Sequence, residues 1–132
     1  MKLQTSTMLA LYSVLEAASN PDKQVSAAEI AERYDVSAHH LAKVLRELGR
    51  AGLVDSSRGV GGGYRFSGNA RRLTLMDVIE RFEDIGARSP EPGASQTDVG
   101  REIARVLSEI DEIAKATFRS ITIYTLLKVV ER

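Results

Sequence analysis

The sequence predicts a mainly α-helical fold with one small β-hairpin and a long helix near the C-terminus. Two short helix patterns joined by a tight turn precede two short strand patterns around a glycine-rich tip. A heptad pattern of apolar residues then extends over nearly three heptads in the last third of the chain. The length of 132 residues, 43% of them apolar, suits one globular domain with a helical extension better than two full domains.

Helical spacing and capping residues predict three helices in the first half of the chain. Apolar residues recur every three or four positions over residues 3–18, before an Asn-Pro pair that ends this helix. Ser26 and Glu29 have the spacing of a capping box, which begins a short second helix that runs to about Tyr34. Ser37 is the expected N-cap of the third helix, which an Ala-Gly pair ends. The buried stripe of that helix comprises Leu41, Val44, Leu45 and Leu48.

A β-hairpin and a fourth helix are predicted next. Two strand-like segments, residues 53–56 and 64–67, flank a tip in which four of the five residues are glycine. The glycines favour a hairpin with a mobile end. Thr74 and Asp77 form a cap-like pair at the start of the fourth helix, which we expect to end at Gly86.

The last third of the chain predicts a loop, a long helix and a short final helix. Residues 87–97 contain two of the three prolines and no large apolar side chain, so we expect an exposed loop. This loop separates a domain of residues 1–86 from a helical unit of residues 98–132, in which Thr122 caps the final helix. The long helix has more apolar width than a small domain needs, which predicts a dimerisation seam. The seam residues are Val99, Ile103, Val106, Ile110 and Ile113.

Composition excludes several kinds of chemistry. The chain has no cysteine, which removes disulfides, thiolate nucleophiles, zinc–thiolate sites and Cys-ligated iron–sulfur clusters. Its two histidines, His39 and His40, are adjacent and would point about 100° apart on a helix, so they form a poor chelating pair. No motif pairs a serine with a base. We therefore predict no enzyme, no catalytic residue, no metal site and no cofactor.

Hydropathy and charge indicate the cellular compartment of the protein and the kind of partner that it binds. No apolar run approaches the roughly 18 to 20 residues that a membrane span requires, and no signal peptide is evident, so we expect a cytoplasmic protein. Eighteen basic and eighteen acidic residues give a net charge of zero. Between residues 38 and 72, however, seven basic residues stand against two acidic ones. This local excess suits a nucleic-acid surface, although an ordinary solvated face has the same character.

The predicted elements follow the order of a winged helix-turn-helix domain. In that geometry the third helix enters the major groove of DNA, and the hairpin, or wing, contacts the backbone or the minor groove. The wing tip fits neither a dinucleotide-binding motif, because Tyr64 replaces a required glycine, nor a P-loop, because no Gly-Lys-Ser follows. A small α+β domain without a nucleic-acid role is the alternative. The predicted DNA-binding residues are Ser37, Ala38, His39, His40, Lys43, Arg46, Arg58, Gly59, Gly61, Gly62, Gly63, Tyr64 and Arg65.

The stretch Arg-Gly-Val-Gly-Gly-Gly-Tyr at residues 58–64 resembles the wing of the Rrf2 family, the bacterial winged helix-turn-helix regulators that include IscR, NsrR and CymR. The resemblance covers nearly the whole chain, including residues 26–48, 73–79 and 121–123. It implies a dimer of crossed C-terminal helices in which each subunit presents one recognition helix and one wing. The chain departs from the family in two respects. It lacks the three cysteines of cluster-binding members, and it has His-Leu-Ala at residues 40–42 where members often have Tyr-Leu-Glu, so the usual target sequence is not assumed.

These observations predict a sequence-specific DNA-binding transcriptional regulator that acts as a homodimer on a pseudo-palindromic operator, without an iron–sulfur cluster. A repressor is favoured over an activator, because such dimers commonly occlude promoters. The expected partners are double-stranded DNA and a second copy of the chain, with a small-molecule or protein effector of unknown identity and no membrane. The alternative is a winged-helix protein-interaction module that regulates through a partner protein, against which the basic block between residues 43 and 72 argues.

Overall fold

The computed structural model describes residues 1–57, 62–86 and 93–130. The described residues are mainly helical and include one two-stranded antiparallel sheet. The helices are α1 (Thr5–Ser19), α2 (Ala27–Arg33), α3 (Ala38–Arg50), α4 (Leu75–Ile79), α5 (Asp98–Ser120) and α6 (Ile123–Val130). The strands are β1 (Val54–Ser57) and β2 (Gly63–Phe66), and a 3₁₀ turn at Ala94–Gln96 precedes α5.

Helices α1, α2 and α3 pack around one apolar core. The four predicted core residues of α3 are all buried, and they lie against Leu9 and Val14 of α1 and Ile30 of α2. Both predicted serine caps are confirmed. The Oγ of Ser26 accepts a hydrogen bond from the Glu29 N–H at 3.0 Å, and the Oγ of Ser37 accepts one from the His40 N–H at 3.1 Å. The turn between α2 and α3 is therefore held by local hydrogen bonds, as a helix-turn-helix requires.

The glycine after α3 allows the chain to leave the helix directly into the sheet. Gly52 has φ 77°, a left-handed conformation that residues with a Cβ rarely adopt. The N–H of Leu53 then donates to the Leu48 carbonyl, so Leu53 ends the helix and does not begin the strand as predicted. Both strands are shifted by one residue from their predicted positions, and their register pairs Val54 with Phe66.

The hairpin is joined to the segment before α2. Val25 and Tyr64 exchange two backbone hydrogen bonds of 2.8 Å each, and Gln24 hydrogen-bonds to Ser57. Gly63 lies so close to this segment that a Cβ on it would be 2.8 Å from the Val25 carbonyl oxygen. The glycine at position 63 is thus required for close backbone approach, whatever its conformational freedom.

Helix α4 begins as predicted but is much shorter. Thr74 and Asp77 form a complete capping box, with hydrogen bonds of 3.1 and 2.9 Å between each backbone N–H and the other's side chain. The prediction that this helix continues to Gly86 is wrong, because it ends at Ile79. After that residue the backbone forms bonds to the third residue back, and the chain turns towards the start of α1.

The turn brings Glu83 to the N-terminus of α1. Its Oε1 accepts hydrogen bonds from the Gln4 N–H at 2.8 Å and from the Thr7 hydroxyl at 2.6 Å. The N-cap residue Gln4 offers no side-chain cap of its own. A carboxylate from a distant segment therefore caps α1, where it also meets the positive end of the helix dipole.

Removing this long-range cap should destabilise the fold. We expect Glu83→Ala to lower the free energy of unfolding by about 2 kcal/mol, because it leaves the fully buried Thr7 hydroxyl without its acceptor. Glu83→Gln retains an acceptor and should cost less. Urea unfolding measures both, and Glu80→Ala, on the exposed side of the same turn, is the control. A loss no larger than that of the control would contradict this role of Glu83.

The C-terminal helices are joined to the rest of the fold by backbone hydrogen bonds. Thr74 and Thr122 form an isolated antiparallel bridge. Beside it, the N–H of Leu75 donates to Ile121 and the N–H of Ile123 donates to Leu73, each at 2.9 Å. The Thr122 Oγ1 accepts from the Thr125 N–H at 3.2 Å, which confirms the predicted cap of α6. None of the described helices is long and apolar enough to cross a membrane.

Candidate nucleic-acid interface

One exposed face of α3 is basic. His39, Lys43, Arg46 and Arg50 are all exposed and follow one another at spacings of four, three and four residues, which places them on one side of the helix. The opposite side consists of the buried core residues. The face therefore presents three permanent positive charges and one imidazole to solvent. Arg50 was not among the predicted DNA-binding residues, although the same spacing would have identified it.

The partners of these basic residues divide them into two groups. Arg50 forms an ion pair of 3.4 Å with Glu47 of its own helix. Lys43 and Arg46, by contrast, make no hydrogen bond and no ion pair within the part of the chain that the structure describes. Their side chains are therefore available to a ligand at no cost in broken contacts.

The first turn of α3 has a mixed role. Ala38 and His39 are exposed, whereas the Ser37 hydroxyl is engaged in capping the helix. His40 is half-buried, and its Nε2 lies 3.0 Å from the Ser6 hydroxyl of α1. This contact joins α3 to α1, and a contact between His40 and DNA stays a prediction.

The wing lies only partly within the described residues. Of the predicted wing contacts, Arg58, Gly59 and Gly61 fall outside them. Gly62 and Gly63 are half-buried, and the Tyr64 ring packs against the core while its backbone pairs with Val25. Tyr64 therefore lies at the base of the wing, and its contact with DNA stays a prediction.

Arg65 is the exposed basic residue of β2. Its guanidinium donates one hydrogen bond of 3.4 Å to the backbone carbonyl of Asp22, in the linker before α2. The remaining donors of the fork face solvent, so this residue can still contact a phosphate.

A buried contact holds α1 and α2 together behind the basic face. The rings of Tyr12 and Tyr34 stack with centroids 4.5 Å apart. Glu16 accepts hydrogen bonds from the Tyr34 hydroxyl at 2.5 Å and from Arg33 at 2.6 Å. Burial, followed by the bond to Glu16, raises the pKa of Tyr34 to about 12. The phenol thus stays neutral at any physiological pH and keeps donating its hydrogen bond to Glu16.

The predicted seam on α5 is exposed along its whole length. The exposed fractions are 70% for Val99, 56% for Ile103, 42% for Val106, 52% for Ile110 and 66% for Ile113. Asp111 is the one buried residue of this helix among those that the structure describes. A row of five large apolar side chains on one helix is far more exposed apolar surface than a single soluble domain commonly carries.

Comparison with known proteins identifies the family. The sequence profile described as "Rrf2: Iron-dependent Transcriptional regulator" matches residues 3–131. The chain is 55% identical to the HTH-type transcriptional regulator BadM of Rhodopseudomonas palustris over 131 residues, which cover 99% of this chain and 84% of that protein. It is 35% identical to the HTH-type transcriptional regulator IscR of Cereibacter sphaeroides over 99 residues, 72% of this chain and 64% of that protein.

The family description names iron, but this chain does not provide the side chains that would ligate it as an iron–sulfur cluster. An iron–sulfur cluster needs several soft thiolate ligands, and the sequence has no cysteine. Both histidines lie on α3, one of them bonded to Ser6. Within the described ranges, no three His, Asp or Glu side chains are grouped so that they could hold a metal ion.

Solved structures share the fold over almost the entire chain. The structure of CymR, the global cysteine regulator of B. subtilis, matches with a TM-score of 0.80 and 25% identity over 98% of both chains. The structure of T. potens IscR matches with a TM-score of 0.77 and 24% identity, over 98% of this chain and 88% of that one, which supports the fold alone. Family profile, relatives and fold agree with the basic helix and the wing, and the chain therefore belongs to the Rrf2 family of winged helix-turn-helix, DNA-binding transcriptional regulators.

Proposed function

We propose that the protein represses transcription as a homodimer that binds a pseudo-palindromic operator, without an iron–sulfur cluster. The observation that carries the proposal is the coexistence of an exposed basic face on α3 with an exposed apolar seam on α5. The first surface suits DNA, and the second suits a second copy of the chain. In this arrangement residues 1–86 bind DNA, residues 87–97 connect, and residues 98–132 dimerise.

Dimer symmetry determines the form of the operator. Two identical subunits related by a two-fold axis present two identical α3 faces, so the DNA must offer two half-sites in inverted orientation. These half-sites should lie about one helical turn apart, or a multiple of it. A dimer bound over a promoter blocks access to it, which is why we favour repression over activation.

Selection of genomic fragments with the purified full chain tests the proposal. We expect recovered fragments to share an inverted repeat upstream of a gene, and added protein to reduce transcription from that promoter in vitro. Retention of fragments without a shared sequence would contradict specific binding, and increased transcription would contradict repression. If the protein retains no DNA and instead captures a protein partner, the interaction-module alternative is correct.

Phosphate contacts by α3 should be visible in the salt dependence of binding. We expect Arg50→Ala to lower the slope of log affinity against log salt concentration by about 1.8, because the dimer loses one counterion-releasing contact in each of its two half-sites. The measurement is a titration of an operator duplex at several salt concentrations. Arg119→Ala, an exposed position on α5, is the matched control and should leave the slope unchanged. An equal slope for both variants would remove Arg50 from the interface.

The absence of thiolates predicts indifference to cluster chemistry. After anaerobic incubation with iron and sulfide, we expect no stoichiometric visible absorbance on the protein, because the chain has no cysteine to ligate a cluster. Its affinity for operator DNA should then be the same before and after exposure to air. A stoichiometric chromophore whose loss changes DNA binding would contradict this part of the proposal.

A further inference from the structure

The exposed face of α3 offers hydrogen-bond donors to DNA and very few acceptors. Lys43 and Arg46 are donors only, and neither makes a hydrogen bond or ion pair within the described residues. They lie in the second and third turns of the helix, after the first-turn residue His39. Lys43 is the sixth of the thirteen residues of α3 and Arg46 is the ninth, so both lie in the central part of the exposed face that a recognition helix turns towards the major groove.

The residue types absent from α3 are equally informative. Residues 38–50 contain no asparagine and no glutamine, the side chains whose amides match adenine in the major groove. Their single acid, Glu47, is partly buried and paired with Arg50, so it is not free to accept from the amino group of cytosine. The chemistry of the face therefore excludes the usual contacts to adenine and cytosine.

Guanine is the base whose major-groove edge matches this face. It presents two neighbouring acceptors, N7 and O6, and lysine or arginine binding to them is the commonest specific contact between proteins and DNA. Lys43 and Arg46 are three residues apart, so their Cβ atoms lie about 5–6 Å from each other on one side of the helix, and both side chains can reach neighbouring base pairs. Arg50 lies one turn further on and is already paired, so it suits a phosphate better than a base.

We propose that Lys43 and Arg46 contact guanines on two neighbouring base pairs in each half-site of the operator. The inference rests on the proposed function, because it requires α3 to lie in the major groove. Lys43 and Arg46 then determine which base sequence the protein prefers. Arg50 contributes to the affinity for DNA of any sequence.

Selection from a pool of duplexes with a randomised central region tests the proposal. We expect the wild-type protein to recover duplexes with two adjacent G·C pairs at the centre of each half-site. Replacing either guanine by 7-deazaguanine removes the N7 acceptor and should lower the affinity about tenfold, whereas inosine, which keeps N7 and O6, should have little effect. A consensus without adjacent G·C pairs, or a duplex that is insensitive to 7-deazaguanine, would overturn the assignment.

Variants connect each base pair with one side chain. Lys43→Ala and Arg46→Ala should each abolish the preference at one of the two base pairs and leave the other intact. Arg50→Ala is the matched control, since it should weaken binding to all duplexes equally and leave the consensus unchanged. All three positions are exposed, and circular dichroism checks that the variants remain folded.

The outcomes separate this inference from the proposed function. Specific binding with preferences unaltered in Lys43→Ala and Arg46→Ala would overturn the guanine contacts while leaving the DNA-binding regulator intact. Failure of the wild-type chain to retain any duplex would overturn both.

Discussion

Replacing Ile103 and Ile110 together by aspartate should convert the proposed dimer into a monomer. Each is more than half exposed in the single chain and lies at the middle of the α5 seam. Burial of an isoleucine against a partner stabilises by about 1.5–3 kcal/mol, and two-fold symmetry doubles the number of substituted positions. The dimer should therefore lose about 6 kcal/mol or more of association free energy, in addition to the cost of burying carboxylates.

Analytical ultracentrifugation with the double variant measures this change. Ser108→Asp is the control, because Ser108 is also exposed on α5 but lies on the side away from the seam. It should remain a dimer. The monomeric variant should bind an isolated half-site and the intact inverted repeat with similar affinity, whereas the wild-type protein should bind the inverted repeat far more tightly than the half-site. A double variant that is still a folded dimer would place the interface elsewhere.

Substitution of Gly63 by alanine should have the second large effect. The added Cβ would lie 2.8 Å from the oxygen and 3.1 Å from the carbon of the Val25 carbonyl, and both are backbone atoms that cannot rotate away. Either the hairpin or the α1–α2 linker must move. We expect a loss of about 2 kcal/mol in the free energy of unfolding, as for other overpacked sites. DNA affinity should fall as well, because the wing is displaced relative to α3.

Gly49→Ala is the matched control for this substitution. A Cβ at this helical position meets the Val54 carbonyl oxygen at 3.8 Å, an ordinary contact. Alanine also favours a helix over glycine by up to about 1 kcal/mol, so this variant should be more stable than wild type. Thermal and urea unfolding of the two variants should therefore give shifts of opposite sign. Equal shifts would show that close approach at Gly63 is not what requires glycine there.

The predictions made from sequence succeed where the determining contacts are local. The caps at Ser26, Ser37 and Thr74 depend on residues three positions away, so the pattern itself contains the signal. The periodicity of α5 likewise reveals its seam, because a helix face is a local property. The family resemblance implies how two subunits cross through their C-terminal helices, which no local sequence pattern shows.

Prediction from the sequence fails where a structural feature depends on contacts with a segment that is distant along the chain. Glu83, four residues after the end of α4, caps a helix nearly eighty residues earlier, and no local pattern in the sequence predicts that contact. The hydrogen bond between His40 and Ser6 was not predictable for the same reason, because it joins residues thirty-four positions apart. A cluster of glycines predicts either unusual backbone angles or close approach, and at Gly63 it is the contact with distant Val25 that shows close approach.

The backbone bridge between Thr74 and Thr122 connects the end of α5 directly to the DNA-binding domain, so a rotation of α5 moves that domain. The middle of the seam, Val106, and the bridge are sixteen residues apart, about 24 Å of helix. A pivot of about 10° at the seam would therefore shift the attached DNA-binding domain by about 4 Å, roughly one base step. Backbone hydrogen bonds, and not a flexible linker, connect α5 to this domain. Most of the shift is therefore transmitted to the domain. In the proposed dimer, a small change in the angle between the two α5 helices is therefore enough to move each recognition helix out of register with its half-site.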